Sequence, residues 1–119
     1  MIIDSSCFAK PEAELLLMQN LIEAGIPIAD LNWRRLAAWQ ELAAEAFDPP
    51  ERRAAIREID RVTIDYEQDN STQALMYLGW LASRFQWHPV AYKQEEGDYK
   101  IKRIQFAGAD GRVVEAELA

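Results

Sequence analysis

Two periods of hydrophobic spacing alternate along this chain, and the switches between them mark its elements. Residues 1–4 form a short apolar run that gives way to Asp4-Ser5-Ser6, the pattern of a buried strand entering a loop. From Pro11 the spacing turns helical. Leu15, Met18, Leu21 and Ile22 make the stripe, and Leu16 and Leu17 widen it. Pro11 suits a first turn, where its missing N–H costs nothing, and Glu12 and Glu14 lie near the positive end of the dipole. Gly25 is placed for a left-handed C-cap, followed by Ile26 as its hydrophobic contact and by Pro27 as a block. The spacing predicts a helix over 11–24.

The next helical stretch, DLNWRRLAAWQELAAEAF over residues 30–47, is the one around which the chain is organised. Asp30 is a good N-cap, and Asp48-Pro49-Pro50 stops the helix. On an unbroken helical wheel Trp33, Leu36, Trp39, Leu42, Ala43, Ala46 and Phe47 share one broad arc, opposite Arg34, Glu41, Glu45 and Asp48. Arg35 alone projects inside the apolar arc. Residues 51–58 can form one or two further turns. Val62, Ile64 and Tyr66 then alternate with Arg61, Thr63 and Asp65, a strand signature.

Asp69-Asn70-Ser71 closes that strand, and Asn70 with Gln73 three residues on has capping-box spacing. The helix that follows, over 71–86, is apolar on two sides. Ala74, Tyr77, Leu78, Leu81 and Phe85 form one face; Met76, Trp80 and Trp87 form the other. Gly79 costs roughly 1 kcal/mol against alanine inside a helix, so a packing reason is expected for it. The last third reads as strands over 88–93, 99–107 and 112–118. Glu95-Glu96-Gly97-Asp98 and Gly108-Ala109-Asp110-Gly111 are the turns between them. Tyr99 and Ile101 have one parity, Ile104 and Phe106 the other, and a bulge near Lys102-Arg103 would reconcile them.

Taken together, the order predicts one α/β domain over residues 1–119. Its mixed sheet has early parallel strands, helices packed on it and a C-terminal antiparallel meander. Half of the 119 residues are hydrophobic, enough for a core without disulfides or metal. The net charge of −7 disfavours nucleic acid and anionic membrane as partners. No run reaches the roughly 18 apolar residues of a membrane helix, and no secretory leader is recognised. A lone Cys7 allows no internal disulfide, which fits a reducing cytoplasm, and one histidine with one cysteine cannot make the usual zinc sets.

The stretch DLNWRRLAAWQ, followed some forty residues later by YLGWLASRFQW, resembles the glucose-6-phosphate dehydrogenase assembly protein family, OpcA. The first motif falls on Asp30, Leu31, Trp33, Arg35, Leu36 and Trp39, and the second on Trp80, Leu81 and Arg84. Ala37-Ala38, Gln40 and Phe85 depart from the family's common pattern. Because family members are longer and a strand begins almost at residue 1, the chain is expected to be a domain excised from a longer protein. The resemblance implies a non-catalytic allosteric or assembly partner of glucose-6-phosphate dehydrogenase, at the entry of the oxidative pentose phosphate pathway. It implies no cofactor, and partners limited to that enzyme and to other domains of the same protein.

Catalysis finds little support in the residues themselves. Asp4-Ser5-Ser6-Cys7 would lie at the carboxyl end of a parallel strand, where α/β proteins often place reactive groups. A nucleophile needs a positioned base, however, and no histidine stands at motif spacing. Arg35 is read as a structural residue, snorkelling or anchored to Asp4, Asp60 or Asp65. Trp33 and Trp39 are expected in the core. Met76, Trp80, Arg84 and Trp87 are the candidate partner-binding residues. Arg84 stands one turn after Trp80, and Trp and Arg are enriched at interface hot spots. His88 is expected to be structural. The alternative from another class is a small-molecule-binding regulatory domain, using loops at the carboxyl ends of the parallel strands.

Overall fold

Each predicted helix begins and ends on the residues that local chemistry nominates, with one exception. The computed structural model describes residues 1–66, 70–95, 101–108 and 110–119. Helix α1, Pro11–Glu23, has Pro11 in its first turn, and Glu14 reaches back to accept from the Lys10 amide at 2.9 Å. It ends at Gly25, φ +88°, with the Gly25 amide donating to Ile22 and the Ile26 amide to Leu21. That pair of bonds is the Schellman motif, which closes the last orphan carbonyls.

The exception is the central helix. Residues 31–47 form two helices, α2 over Leu31–Arg34 and α3 over Ala37–Phe47. Between them the Leu36 amide donates to Trp33, a three-residue turn tighter than an α-helical one. The phase slip drives Leu36 inward, to 2% exposure, and rotates its neighbours off the single arc that an unbroken wheel predicts. A short helix α4, Pro50–Ile56, follows with Pro50 at its first position.

Helix α5, Ser71–Phe85, is capped by Asn70, whose Oδ1 accepts from the Gln73 amide at 3.3 Å. Asp69, expected beside it, lies outside the described residues. At its far end Gln86 adopts φ 60°, and the Trp87 amide donates back to Ala82 at 2.8 Å. Gly79 does not have the packing role expected of it. A Cβ built there meets nothing within 4 Å.

The fold is α/β, with early parallel strands and a C-terminal antiparallel meander, held in two separate sheets. Strand β1, Ile2–Ile3, pairs in parallel with β2, Ala29–Asp30, a strand that the pattern of residues 26–30 did not announce. The main sheet has the order β3-β6-β5-β4, built from Arg61–Ile64, His88–Glu95, Ile101–Ala107 and Val113–Leu118 for β3 to β6. Strand β3 pairs in parallel with β6, and the other neighbours are antiparallel. The first meander turn and Tyr99 lie largely outside the described residues.

The bulge expected at Lys102-Arg103 is absent, since β5 keeps its register there; the irregularity falls in β4, between Pro89 and Ala91. Lys102 instead takes a core-side position in line with Ile104 and Phe106. It is 5% exposed and paired to Glu12 of α1. Charge pairing thus settles the parity conflict without an extra residue.

Core-side residues of the sheet, Phe106, Val114, Ala116 and Leu118, pack with Ala74, Leu78 and Ala82 of α5 and with Trp87. The opposite sheet face is polar, with Arg103 bridging Glu95 and Glu117 at 3.3 and 3.2 Å. Such one-sided alternation is what an antiparallel sheet covered on one face requires. Helices α1 and α3 have no fully buried residue, and Leu16, Leu17, Ile22 and Leu42 are exposed. No described helix is long and apolar enough to cross a membrane.

Two glycines with opposite environments provide a test. Gly25→Ala forces a left-handed alanine and should destabilise by about 1–2 kcal/mol. Gly79→Ala relieves a helix-interior glycine in open space and should stabilise by about 0.5–1 kcal/mol. Thermal unfolding of the two variants decides it: equal effects of the same sign would contradict the assignment.

Candidate interaction surface

The residues of the DLNWRR motif divide into two groups, one tying segments together and one pointing outward. Asp30 caps α2 with Oδ1, which accepts from the amides of Asn32 and Ser5, both at 3.0 Å. Asn32 and Ser5 are fully enclosed. The Asn32 amide group donates to Ser5 Oγ and to Asn70 Oδ1, each at 3.0 Å, and Asn70 donates back to Asn32 Oδ1 at 3.2 Å. Ser5, with its oxygen enclosed and bonded to Asn32, is in no position to act as an exposed nucleophile. Sequence reasoning missed Asn32 altogether. Its one signal is a short polar side chain inside an otherwise apolar turn.

Arg35 is anchored, and Asp4 is its partner among the three candidate acids. The guanidinium forks onto both carboxylate oxygens, Nη1 to Oδ1 at 2.9 Å and Nη2 to Oδ2 at 2.8 Å. Ser6 adds its hydroxyl to Asp4 Oδ1 at 2.6 Å. The Arg35 hydrogen bonds, then that of Ser6, hold the Asp4 carboxyl well below the usual carboxylate range. The pair is solvent-facing, with side chains 50% and 27% exposed, so Arg35 lies outside the apolar arc assigned to it.

Trp33 and Trp39 are likewise not core residues. They are 42% and 59% exposed, because the tight turn at Leu36 aims that residue inward in their place. Tyr77 Oη donates to the Trp39 carbonyl at 3.2 Å, joining α3 to α5. The Tyr77 ring stacks on Trp80 with centroids 5.9 Å apart, and Arg84 lies 5.7 Å from the Trp80 ring centroid. Burial pushes the Tyr77 hydroxyl pKa up, which keeps it a donor.

Of the four candidate partner-binding residues, Trp80 and Arg84 meet, and the other two lie elsewhere. Met76 is half-buried, its sulfur 3.9 Å from Ser5 Oγ. Trp87 belongs to the core at 6% exposure, 5.1 Å from the Phe85 ring and 6.1 Å from Phe106. The left-handed Gln86 swings it off the face that an extended helix would give it. What remains outward is Trp33, Trp39 and Arg84, with the half-buried Trp80 stacked between Tyr77 and Arg84, carried by α2, α3 and α5. This surface can bind; it holds no paired base and nucleophile. His88 opens β4 and is exposed.

Residues 26–119 match a family model, OpcA_G6PD_C, described as the C-terminal domain of a glucose-6-phosphate dehydrogenase subunit. The chain belongs to this OpcA family. Three curated relatives bear the OpcA name and are described as OxPP cycle proteins. The Nostoc punctiforme protein is 65% identical over 99% of this chain. The Synechocystis protein is 59% identical over 99%, and that of Synechococcus elongatus 58% over 100%. The chain spans about a quarter of the length of each, 25%, 25% and 27%.

Two outcomes follow from this geometry. Because the folded pKa of Asp4 is depressed, its stabilisation is present above the unfolded value near pH 4 and fades as pH falls below it. The melting difference between wild type and Asp4→Asn should therefore be constant from pH 7 to about 5 and shrink below about pH 4. A gap unchanged to pH 2 would disprove the pairing. Separately, Trp87→Ala should cost about 3–5 kcal/mol, and Trp80→Ala about 1 kcal/mol, the order of a stacked pair. Comparable losses would place Trp80 in the core.

Proposed function

We propose that this domain is a non-catalytic part of an effector that binds glucose-6-phosphate dehydrogenase and promotes its assembly or activation, in the cytoplasm. The family description and the OxPP relatives support the enzyme as partner. The observation that carries the binding role is the pair of exposed indoles, Trp33 and Trp39, together with the half-buried Trp80 and the Arg84 that lies over it. Large aromatics left this exposed cost free energy in water, and they are the residue types that dominate interface energetics when covered.

An effector changes an enzyme's state only by binding one state better than another. The surface suits that task because its groups are already held. The Tyr77 bond fixes α3 against α5, and stacking fixes Trp80 under Arg84. Preorganised side chains lose less entropy on association. Allosteric activation then appears as a rise in enzyme activity that saturates with the affinity of the complex.

The test is affinity of the full-length protein for the dehydrogenase, with the melting temperature of each variant measured in parallel. Trp39→Ala and Trp80→Ala should each weaken binding by about 2 kcal/mol or more, roughly 30-fold, with little change in the melt for Trp39→Ala and only the loss of about 1 kcal/mol for Trp80→Ala. Wild-type binding that survives both changes would move the contact to another face. No binding by the wild-type protein would remove the effector reading.

A further inference from the structure

A cleft of about 550 Å³ lies between the C-terminal ends of α4 and α5 and the turn joining β5 to β6. Four arginines line it: Arg53, Arg57, Arg84 and Arg112. Asp110 is the one carboxylate on its wall among the described residues, and Asp110 Oδ1 accepts from the Arg112 amide at 3.1 Å. In a chain whose formal net charge is −7, nearly a third of its 13 Lys and Arg residues converge on one depression. Chance surface scatter would put more acids than bases there.

Neutral groups hold three of these arginines, and one carboxylate among the described residues faces four guanidinium charges. Arg112 Nη1 donates to the Arg57 carbonyl, and Arg53 Nε to the Asp48 carbonyl at 3.0 Å. Arg84 lies over the Trp80 ring. Among the described residues none of the four is ion-paired, whereas Arg35 and Arg103 both are. A guanidinium has five donors, so one bond to a carbonyl steers it while leaving other N–H groups for a ligand. Helix C-termini account for part of the arrangement, since Arg53 and Arg84 lie in the last turns of α4 and α5 and complement the dipoles. That explanation does not reach Arg112, which enters from the β5–β6 turn.

We propose that this cleft is a binding site for a small phosphorylated molecule. Guanidinium forks match phosphate oxygens in a bidentate manner, and several around one depression suit a ligand carrying more than one negative charge. The volume falls in the range of small-molecule pockets, roughly 300–1,000 Å³. Ile56, Phe85 and Trp87 add an apolar wall for the uncharged part of such a molecule. The cleft lies at the amino ends of β3 and β6, where Ile59 and Arg112 lead into the strands, away from the carboxyl-end loops where a ligand was expected. It shares Arg84 with the surface around Trp80, but a small anion bound there needs no second protein, so the proposal stands whether or not the domain binds a dehydrogenase.

Titration of the full-length protein with inorganic pyrophosphate, with no other protein present, tests the site by calorimetry and by the NMR signals of the Trp87 indole and the Gly108 amide. Saturable binding should be seen below the millimolar range, shifting both signals. Arg57→Ala and Arg84→Ala should each weaken it at least tenfold without lowering the melting temperature appreciably. Arg57→Lys should restore part of the loss, and the controls Arg34→Ala and Arg52→Ala should leave affinity unchanged. Absence of saturation, or equal weakening by the controls, would overturn the proposal. So would a cleft that ignores pyrophosphate while its Arg→Ala variants lose dehydrogenase binding, since the arginines would then meet an acidic protein segment instead.

Discussion

A network of hydrogen bonds around the enclosed Ser5 and Asn32 holds the helical half of this domain in place. Asp30, Ser5, Asn32 and Asn70 come from three separate segments, and each completes the hydrogen bonding of the next. Removing a partner of the enclosed Ser5 or Asn32 would leave a buried polar group unpaired, at about 1–3 kcal/mol. The network has a second effect that an apolar contact could not produce. It fixes the cap of α2 against the cap of α5, so the two helices meet at one angle and in one register. The stacking of Tyr77 on Trp80 and the hold of Tyr77 on Trp39 are set downstream of that constraint.

The two halves are built on different physics. The sheet and α5 share a compact apolar core, with Leu78, Val114 and Leu118 almost wholly enclosed. Helices α1 to α3 bury little and are attached by directed polar bonds: Glu12 to Lys102, Arg35 to Asp4, Asn32 to Asn70. An arrangement of this kind leaves apolar side chains outward on the helices while the core remains sealed.

What was legible in the sequence follows the reach of each interaction. Gly25 was readable because a left-handed C-cap is a demand on one residue, and Asn70 because a cap and its amide are three residues apart. The strands of the meander and the OpcA resemblance were readable for the same reason. The break at Leu36 was not. Ala37 and Ala38 are good helix formers, and nothing local forbids continuing; the tight turn instead accompanies an inward Leu36 and Arg35's fork on Asp4. That single event misplaced Trp33 and Trp39 on a wheel drawn for one helix. Trp87 was misplaced similarly, since one left-handed glutamine redirects it. The Arg53–Arg112 cleft spans residues nearly sixty apart, and no periodicity can bring those together before the fold does.

The shift in β4 between Pro89 and Ala91 has a consequence for how this molecule behaves at high concentration. Strand β4 is an outer strand, and its far side offers main-chain groups to any other strand that approaches. Pro89 removes one donor, the irregular register kinks the ribbon, and Lys93 places a charge along it. A neighbouring copy would meet a bent, charged margin with a gap in its donor row. Residues that interrupt the meander thus double as protection against edge-to-edge polymerisation.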